Sequence, residues 1–451
     1  MDKLLKQVLE KITPSREEEE REQGIAKKVM KLIENLGFKS VLVGSLAKGT
    51  DLKGDKDIDI FVIFPRETER DDLEEKGLDI AKKVFEKLGV KCEIDYAEHP
   101  YAKGQYRKYV IEIVPCQAGM GTGSAVDRTP YHTAYVRKKI AKNRTFPGEV
   151  RLLKQFMKGA GVYGAEEKTK GFSGYLAELL VIEYGSFANV LNAASKWRFG
   201  QAIDPEHQWK NTEHLKYFFT GASLVVVDPT DMNRNVAAAV SMQKMAEFMA
   251  ACRGVLENRT IDFFFPKKEK VPKANEIGRA IKSRGTKLLA VSMKHEKINL
   301  NILYGQLRKT EKSLRKEIEH YGFRVMKSRF WTDESGHSMI ILEFEVWELP
   351  KTEHRVGPSL DMDARNRDDF MKKYESDNPY IEDGRLAVDT QRRFTKAEDV
   401  IKKIIEEERG IGKDLKGAKF RILEGKEIMN ASDDIMAFLG GFLSITAPTG
   451  S

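Results

Sequence analysis

The chain has 451 residues, with 77 Lys or Arg against 69 Asp or Glu and a formal net charge of +8. That length accommodates roughly two to four domains, each able to bury a core, and the modest positive excess means solubility if spread evenly and a polyanionic partner if clustered. Cys92, Cys116 and Cys252 lie far apart without a Cys-x-x-Cys spacing, which excludes a disulfide framework and a cysteine zinc site and makes a reducing cytoplasm the expected home. In chain order, the start lacks a secretory apolar core. Leu4 to Ile12 and Glu17 to Leu36 are expected to be helices; in the second, Ile25, Val29, Leu32 and Ile33 recur at helical spacing and Gly37 ends the run. Lys39 to Val43 is a strand that runs into a tight Gly44-Ser45 turn and a helix start. Asp57 to Phe64 is the next strand. Side chains alternate along a strand, so Asp57 and Asp59 share one face while Ile58 and Ile60 pack behind them.

Two carboxylates that close raise each other's pKa unless a cation lies between them, and a divalent metal with oxygen ligands is the commonest answer. Gly44 lets the backbone approach a ligand, and Ser45 offers N–H and hydroxyl donors to phosphate. An Asp-x-Asp alone is equally a solvated strand face. The strongly apolar Phe61 to Phe64 argues instead for a buried strand with acids facing a metal and a nucleotide. Gly44-Ser45 followed by Asp57-x-Asp59 resembles the signature of the DNA polymerase beta superfamily of nucleotidyltransferases. The resemblance implies two Mg2+ ions held by Asp57 and Asp59, an incoming nucleoside triphosphate at Gly44, Ser45 and Lys48, and activation of a 3′-hydroxyl.

Asp71 to Leu88 reads as a charged amphipathic helix closed by Gly89, Val90 to Tyr96 as a third strand, and Lys108 to Val114 as a fourth that Pro115 ends. Glu112 interrupts the apolar Ile111 and Ile113, and a buried carboxylate without a partner is costly, so its face is open to water or meets a cation. The superfamily places its third metal-binding carboxylate on a later strand of the same sheet. Glu112 is the candidate, and Asp95, which shares a face with Glu93, is the rival.

The segments Ala97 to Tyr101, Ser124 to His132, Val150 to Lys154, Val162 to Glu166, Gly171 to Leu176 and Val227 to Val236 together resemble, in the expected order, the archaeal, class I CCA-adding enzymes. Val114-Pro115-Cys116 after Glu112 matches the same family. The resemblance implies an α+β multidomain chain: a polymerase-beta-like catalytic head (1–146), a helical neck (147–262), and an α/β body with tail (263–451) that binds RNA. It implies template-independent addition of CCA to the 3′ end of tRNA from CTP and ATP, with tRNA as partner and no membrane. The residues leave the oligomeric state open, a homodimer included. The family's acids often read Glu-x-Asp with a third Asp, whereas here the pair is Asp57-x-Asp59 and the third is Glu112, so the longer side chain has changed places.

From Gly148 the chain turns helical. Val150, Leu153, Phe156 and Met157 line one face, while Arg151, Lys154 and Lys158 form a basic stripe on another. Arg151 and Lys158 read as a solvated face; the resemblance makes Lys154 a triphosphate ligand and Tyr163 its neighbour at the triphosphate or sugar. Gly171 to Ser195 is expected to be one long scaffolding helix capped by Ser173. Leu224 to Val227 is a strand, Asp228-Pro229 a turn, and Val236 to Cys252 a helix. Arg234 then stands at a helix entrance, where the resemblance has it read the incoming C or A, with Asp231 to orient it. His99 and His132 lack metal spacing and are stacking or phosphate-contact candidates or structural polar groups.

Thr260 to Phe265 reads as an aromatic strand end before a basic, proline-flanked linker. Lys287 to Val291, Phe323 to Phe330 and Met339 to Leu349 are strands, the last two joined at Glu334-Ser335-Gly336. In the helix Leu303 to Tyr321, Leu307, Leu314 and Ile318 face inward and Arg308, Lys312, Arg315 and Lys316 outward, which suits RNA phosphates or plain solvation. Ala397 to Arg409 is a charged helix, and Ile435 to Ile445 is far shorter than the ~20 residues of a membrane span. Rival functions are another RNA-tailing or small-molecule nucleotidyltransferase of the superfamily, and a non-catalytic RNA-binding relative.

Overall fold

The computed structural model describes residues 2–96, 100–119, 125–267, 271–429 and 432–444; His99, Ser124 and the 268–270 part of the linker lie outside them. The chain separates into two compact units, Met1–Lys267 and Lys268–Pro448. The first begins with α1 (Asp2–Ile12) and α2 (Arg16–Glu34). The Ser15 hydroxyl accepts from Glu18 N, and Glu17, Glu18 and Glu19 fill the first turn of α2, where negative charge complements the helix dipole. Next come β1 (Lys39–Leu42), the single-turn α3 (Gly44–Lys48), β2 (Asp57–Phe64), α4 (Arg70–Leu88), β3 (Glu93–Tyr96), β4 (Pro100–Tyr106) and β5 (Tyr109–Gln117).

These strands form a sheet of order β1-β2-β5-β4-β3, in which β2 and β5 are parallel and the other neighbours antiparallel. Ile58, Ile60, Val62, Ile111 and Ile113 project from one face into a core with Val29 and Ile33 of α2 and Ile80 and Val84 of α4. The opposite face carries the acids. Sequence reading missed β4, whose Pro, Lys, Gly and Gln show no apolar alternation. Gly104 is required there, because an added Cβ would come 2.7 Å from Val90 Cγ1 and 2.8 Å from Phe85 Cε1. Nor does Pro115 end the fourth expected strand. Val110 N and Ala118 N donate to Lys56 O and Phe64 O of the β2 side, so odd-numbered positions of β5 turn their amides the other way. Pro115 has no N–H to give on that side, and the strand runs on through it to Gln117 along the edge that pairs with β2.

α5 (Ala125–Ile140), α6 (Phe146–Gly159), α7 (Gly174–Tyr184), α8 (Phe187–Ala194) and α10 (Met242–Glu257) complete the helical half of this unit. Their core holds Phe156, Phe172, Phe187, Phe248 and Phe264, and Val8 and Ile12 of α1 join it. The expected helix from Gly171 to Ser195 is two helices. Gly185 ends α7 at φ +82°, a conformation that costs glycine little, and Ser186 caps α8 by accepting from Asn189 N. Between α8 and α10 lie β6 (Gln201–Ile203), α9 (Thr212–Phe218), β7 (Leu224–Asp228) and β8 (Asp231–Asn235), a small sheet of order β6-β7-β8. Arg234 is therefore on a strand and not at a helix entrance. The Asn235 side chain bonds Val226 N, Ala237 N and Leu224 O, which holds the chain extended until Ser241 caps α10. Ile261–Phe263 is a single 3-10 turn rather than a strand end.

The second unit contains α11 (Ala274–Arg284), β9 (Lys287–Lys294), α12 (Leu300–His320), β10 (Arg324–Thr332), β11 (His337–Val346), β12 (Thr352–Ser359), α13 (Ala364–Lys373), β13 (Tyr380–Glu382), β14 (Arg385–Gln391), α14 (Ala397–Glu406), β15 (Lys419–Glu424), α15 (Lys426–Met429) and α16 (Asp433–Phe442). One antiparallel sheet, β10-β11-β9-β15, is covered on both faces. Leu289, Val291 and Leu342 pack on α12 and α14, while Leu288, Ala290 and Ile341 pack on α11 and α16. The other sheet is β12-β14-β13. On α12, Arg308 lies over the Phe330 ring and Arg315 donates to Val325 O, so half of the expected basic outer face folds back onto the protein; Lys312 and Lys316 stay exposed. Among the described residues no helix is long and apolar enough to cross a membrane.

Candidate active site

The parallel register of β2 and β5 sets Asp59 beside Glu112, with Asp57 one pleat away on the same face. All three carboxyls feel burial first and a neighbouring carboxylate second. Burial and the Asp57 charge push Asp59 up to about 6, and burial with Asp59 and Asp57 pushes Glu112 up to about 7. Asp57 is raised as well, by burial and then Asp55. Asp95 is differently placed, with its carboxylate on Lys103 Nζ at 2.5 Å. Gly44 stands against this face at φ +72°, and an added Cβ would come 1.9 Å from Asp59 Oδ2. Only glycine fits there for two reasons, the backbone conformation and the carboxylate behind it. Ser45 follows, half-buried, in the first turn of α3.

The remaining sequence-derived residues converge on α7. Glu178, wholly buried in an apolar helix, accepts from Lys48 Nζ at 2.7 Å and Thr50 Oγ1 at 2.7 Å, with Lys154 Nζ at 3.9 Å. Lys154 is buried too and donates to Thr50 O at 2.9 Å; burial lowers its pKa to about 8 against the pull of Glu178, and Lys48 adds to the lowering. Gly174 leaves room for its neighbours, since a Cβ there would lie 3.0 Å from the Tyr163 hydroxyl and 3.6 Å from Lys154 Nζ. In the basic stripe of α6, Arg151 and Lys154 are buried, whereas Lys158 is exposed, as a solvated face would have it. Arg151 Nε donates to Asp51 O at 2.7 Å, Lys154 holds Thr50, and Lys158 pairs with Asp55 at 3.1 Å, so the stripe fastens the 50–55 loop that leads into the acidic strand.

Arg234 and His132 meet at Asp228, a buried carboxylate. Oδ2 accepts from Arg234 Nη1 at 2.7 Å and lies 2.9 Å from His132 Nε2, while Oδ1 accepts from Thr230 N and Oγ1 and from Tyr175 OH at 3.3 Å. Burial alone pushes Asp228 up, but the His132 and Thr230 hydrogen bonds more than reverse this and hold it well below the usual carboxylate range. Burial lowers the His132 pKa against the pull of Asp228, and its Nε2 also lies 3.4 Å from Arg234 Nη1. Its face stacks on Tyr175 at 4.1 Å between centroids. Asp231, expected to orient Arg234, pairs instead with Arg128 at 3.1 Å. Sequence reading missed Tyr175, Glu178 and Asp228. A carboxylate inside Leu176-Ala-Glu178-Leu-Leu-Val-Ile182 was the available signal, by the same reasoning that singled out Glu112.

An oxygen donor set of like charges, raised in pKa by burial and mutual repulsion, fits a hard divalent cation. Among the described residues no group of three or more His, Cys, Asp or Glu side chains is arranged so that it could hold a metal ion by itself. Because Asp59 and Glu112 hold protons more tightly in the fold than in the unfolded chain, their contribution in the metal-free protein falls as pH rises from about 4 through the folded values near 6 and 7. A divalent cation such as Mg2+ held by these acids would bind the ionised form, so it should raise the unfolding temperature more at pH 8 than at pH 5, and Asp59→Asn should abolish that difference; thermal unfolding with and without Mg2+ measures both. Glu178→Ala strands two buried ammonium groups and should cost about 3–5 kcal/mol in denaturant unfolding. A loss below about 1 kcal/mol would show that Lys48 and Lys154 find water or other partners.

Three family models match successive stretches: a nucleotidyltransferase domain at 24–131, the second domain of tRNA nucleotidyltransferase at 148–265, and the C-terminal domain of the CCA-adding enzyme at 284–425. The CCA-adding enzyme of Methanothermobacter thermautotrophicus is 38% identical over 412 residues, 88% of this chain and 87% of its own. That of Methanosarcina acetivorans is 37% identical over 450 residues, 96% of each chain. That of Methanocaldococcus jannaschii is 36% identical over 418 residues, covering 90% of this chain and 91% of its own. At that identity over nearly the full length of both partners, the chain belongs to the family of CCA-adding enzymes.

Proposed function

We propose that this protein completes tRNA by adding CCA to its 3′ end from CTP and ATP, one nucleotide at a time and without a nucleic-acid template. The observation that carries the chemistry is the packing of Gly44 against Asp59 with Glu112 in register beside it, in a chain of the CCA-adding family. In this reading Asp57 and Asp59 hold two Mg2+ ions and Glu112 completes the set. When bound, the ions offset charge on the attacking and leaving oxygens and favour ionisation of the RNA 3′-hydroxyl. Ser45 and Lys48 receive the triphosphate, with Lys154 and Tyr163 behind them. Both lysines are already desolvated and held by Glu178 and Thr50, so little further ordering is lost when phosphate arrives. Asp228 fixes one edge of the Arg234 guanidinium and leaves its other N–H groups for the edge of a C or A base. Head (1–146), neck (147–262) and an RNA-binding body and tail (263–451) are the domains this reading assigns, and three free cysteines suit a reducing cytoplasm.

Incubation with Mg2+ and tRNA lacking one, two or three terminal nucleotides, with CTP alone, ATP alone or both, tests the function. The expected products are CC from CTP alone, A only on an end already bearing CC, and CCA from both; tailing with other nucleotides or no extension would refute it. The exchanged acid lengths generate a second test. Magnesium holds its oxygen ligands near about 2.0–2.1 Å, so changing one side chain by a methylene displaces a carboxylate further than the site absorbs. Asp57→Glu and Glu112→Asp should each slow single-turnover CTP addition, and the double exchange should recover much of the rate. Additive losses, or an unaltered rate for Glu112→Asp, would remove Glu112 from the ligand set.

A further inference from the structure

Large apolar side chains exposed to water are few in the first unit, and most of those described crowd into one place. Phe199, Tyr217, Phe218 and Met232 are 53%, 80%, 54% and 40% exposed, and all four lie on or beside the β6-β7-β8 sheet and α9. α9 buries Leu215 against Val225 and Val227, with Phe219 packed alongside, which turns Lys216 and Tyr217 to solvent. Trp209 ties the group together: its indole N–H donates to Met232 O at 2.8 Å and its ring lies 5.2 Å from that of Phe218. Beside Phe199 opens a cleft of about 420 Å³ lined by Lys196, Arg198, Glu213 and Lys216 among others. Lys216 offsets Glu213 at 3.1 Å, whereas Lys196 and Arg198 make no ion pair with the described residues and stand exposed.

A purely apolar partner would leave these cations unmatched, and a duplex would offer phosphates but keep its bases stacked. Unpaired nucleotides satisfy both features, since bases stack on aromatic rings while the backbone meets Lys and Arg. We propose that this face binds unpaired nucleotides of the RNA substrate, with bases on Phe199 and Tyr217 and phosphates on Lys196, Arg198 and Lys216. It is a second hold on the RNA, on elements other than those that carry Asp57, Asp59 and Glu112, and it rests on the tRNA reading above.

The test compares wild type, Phe199→Ala/Tyr217→Ala and Lys196→Glu/Arg198→Glu in the full chain, each checked for unchanged unfolding temperature. Binding of tRNA lacking CCA and of a short single-stranded RNA is followed by fluorescence anisotropy across salt concentrations, with KM for CTP measured in parallel. Removing the rings should weaken both RNAs at least about fivefold per ring with the salt dependence kept. Reversing the charges should weaken them and flatten the slope of log K against log[salt] by about 2. KM for CTP should stay put in both. Unchanged RNA affinity would overturn the proposal, and unchanged affinity with a shifted sedimentation coefficient would assign the face to a protein interface instead. Failure of wild type to extend tRNA would refute the proposed function separately, because the binding comparison does not depend on turnover.

Discussion

A carboxylate without solvent exposure must be paired, and Glu178 satisfies that requirement with groups from three different elements. Lys48 comes from α3, Thr50 from the loop after it, and Lys154 from α6. One helical turn earlier on the same face, Tyr175 stacks on His132 and donates to Asp228. Residues at i and i+3 on α7 thereby hold the glycine-serine segment at one end and the arginine-histidine pair at the other. The helix that reads from its sequence as a scaffold is the part that brings the nucleotide-binding candidates together.

The acidic strand depends on that arrangement through its loop. Burial first, and then charges held together with too little opposing charge between them, raise the carboxyl pKa values of Asp59 and Glu112. Left to relax, such groups would splay, and the 50–55 loop is where they could do so. Arg151, Lys154 and Lys158 hold Asp51, Thr50 and Asp55 respectively, one contact per turn of α6. On the other flank, Gly44 lets the Asp59 carboxylate lie against bare backbone.

Asp228 works on a different scale. At the end of β7 its carboxylate makes five polar contacts, and in doing so it holds the His132 ring and one end of the Arg234 guanidinium. In the role proposed for Arg234, a guanidinium fixed on one edge by a buried carboxylate would discriminate better than a mobile one, because a mismatched base would leave N–H groups unsatisfied instead of finding new ones. The aromatic and basic layer of β6 and α9 abuts the same hairpin through Trp209 and Met232.

What the sequence determined by itself is local and periodic. The alternation of Asp57-Ile58-Asp59-Ile60 set which groups share a face, the Gly37 and Gly89 stops set helix ends, and an acid in an apolar strand marked Glu112. Long, ordered motif strings carried the family. Tertiary structure decided everything that depends on which element lies against which. It made Arg151 a buried loop anchor instead of a solvated residue, gave Arg234 Asp228 for a partner in place of Asp231, drew β4 out of a stretch with no strand pattern, and carried β5 through Pro115 along its pairing with β2. The physical reason is common to all four. Spacing along a chain specifies which side chains point the same way, but the partner of a buried charge, or of an unpaired amide, comes from a distant segment whose position only packing sets.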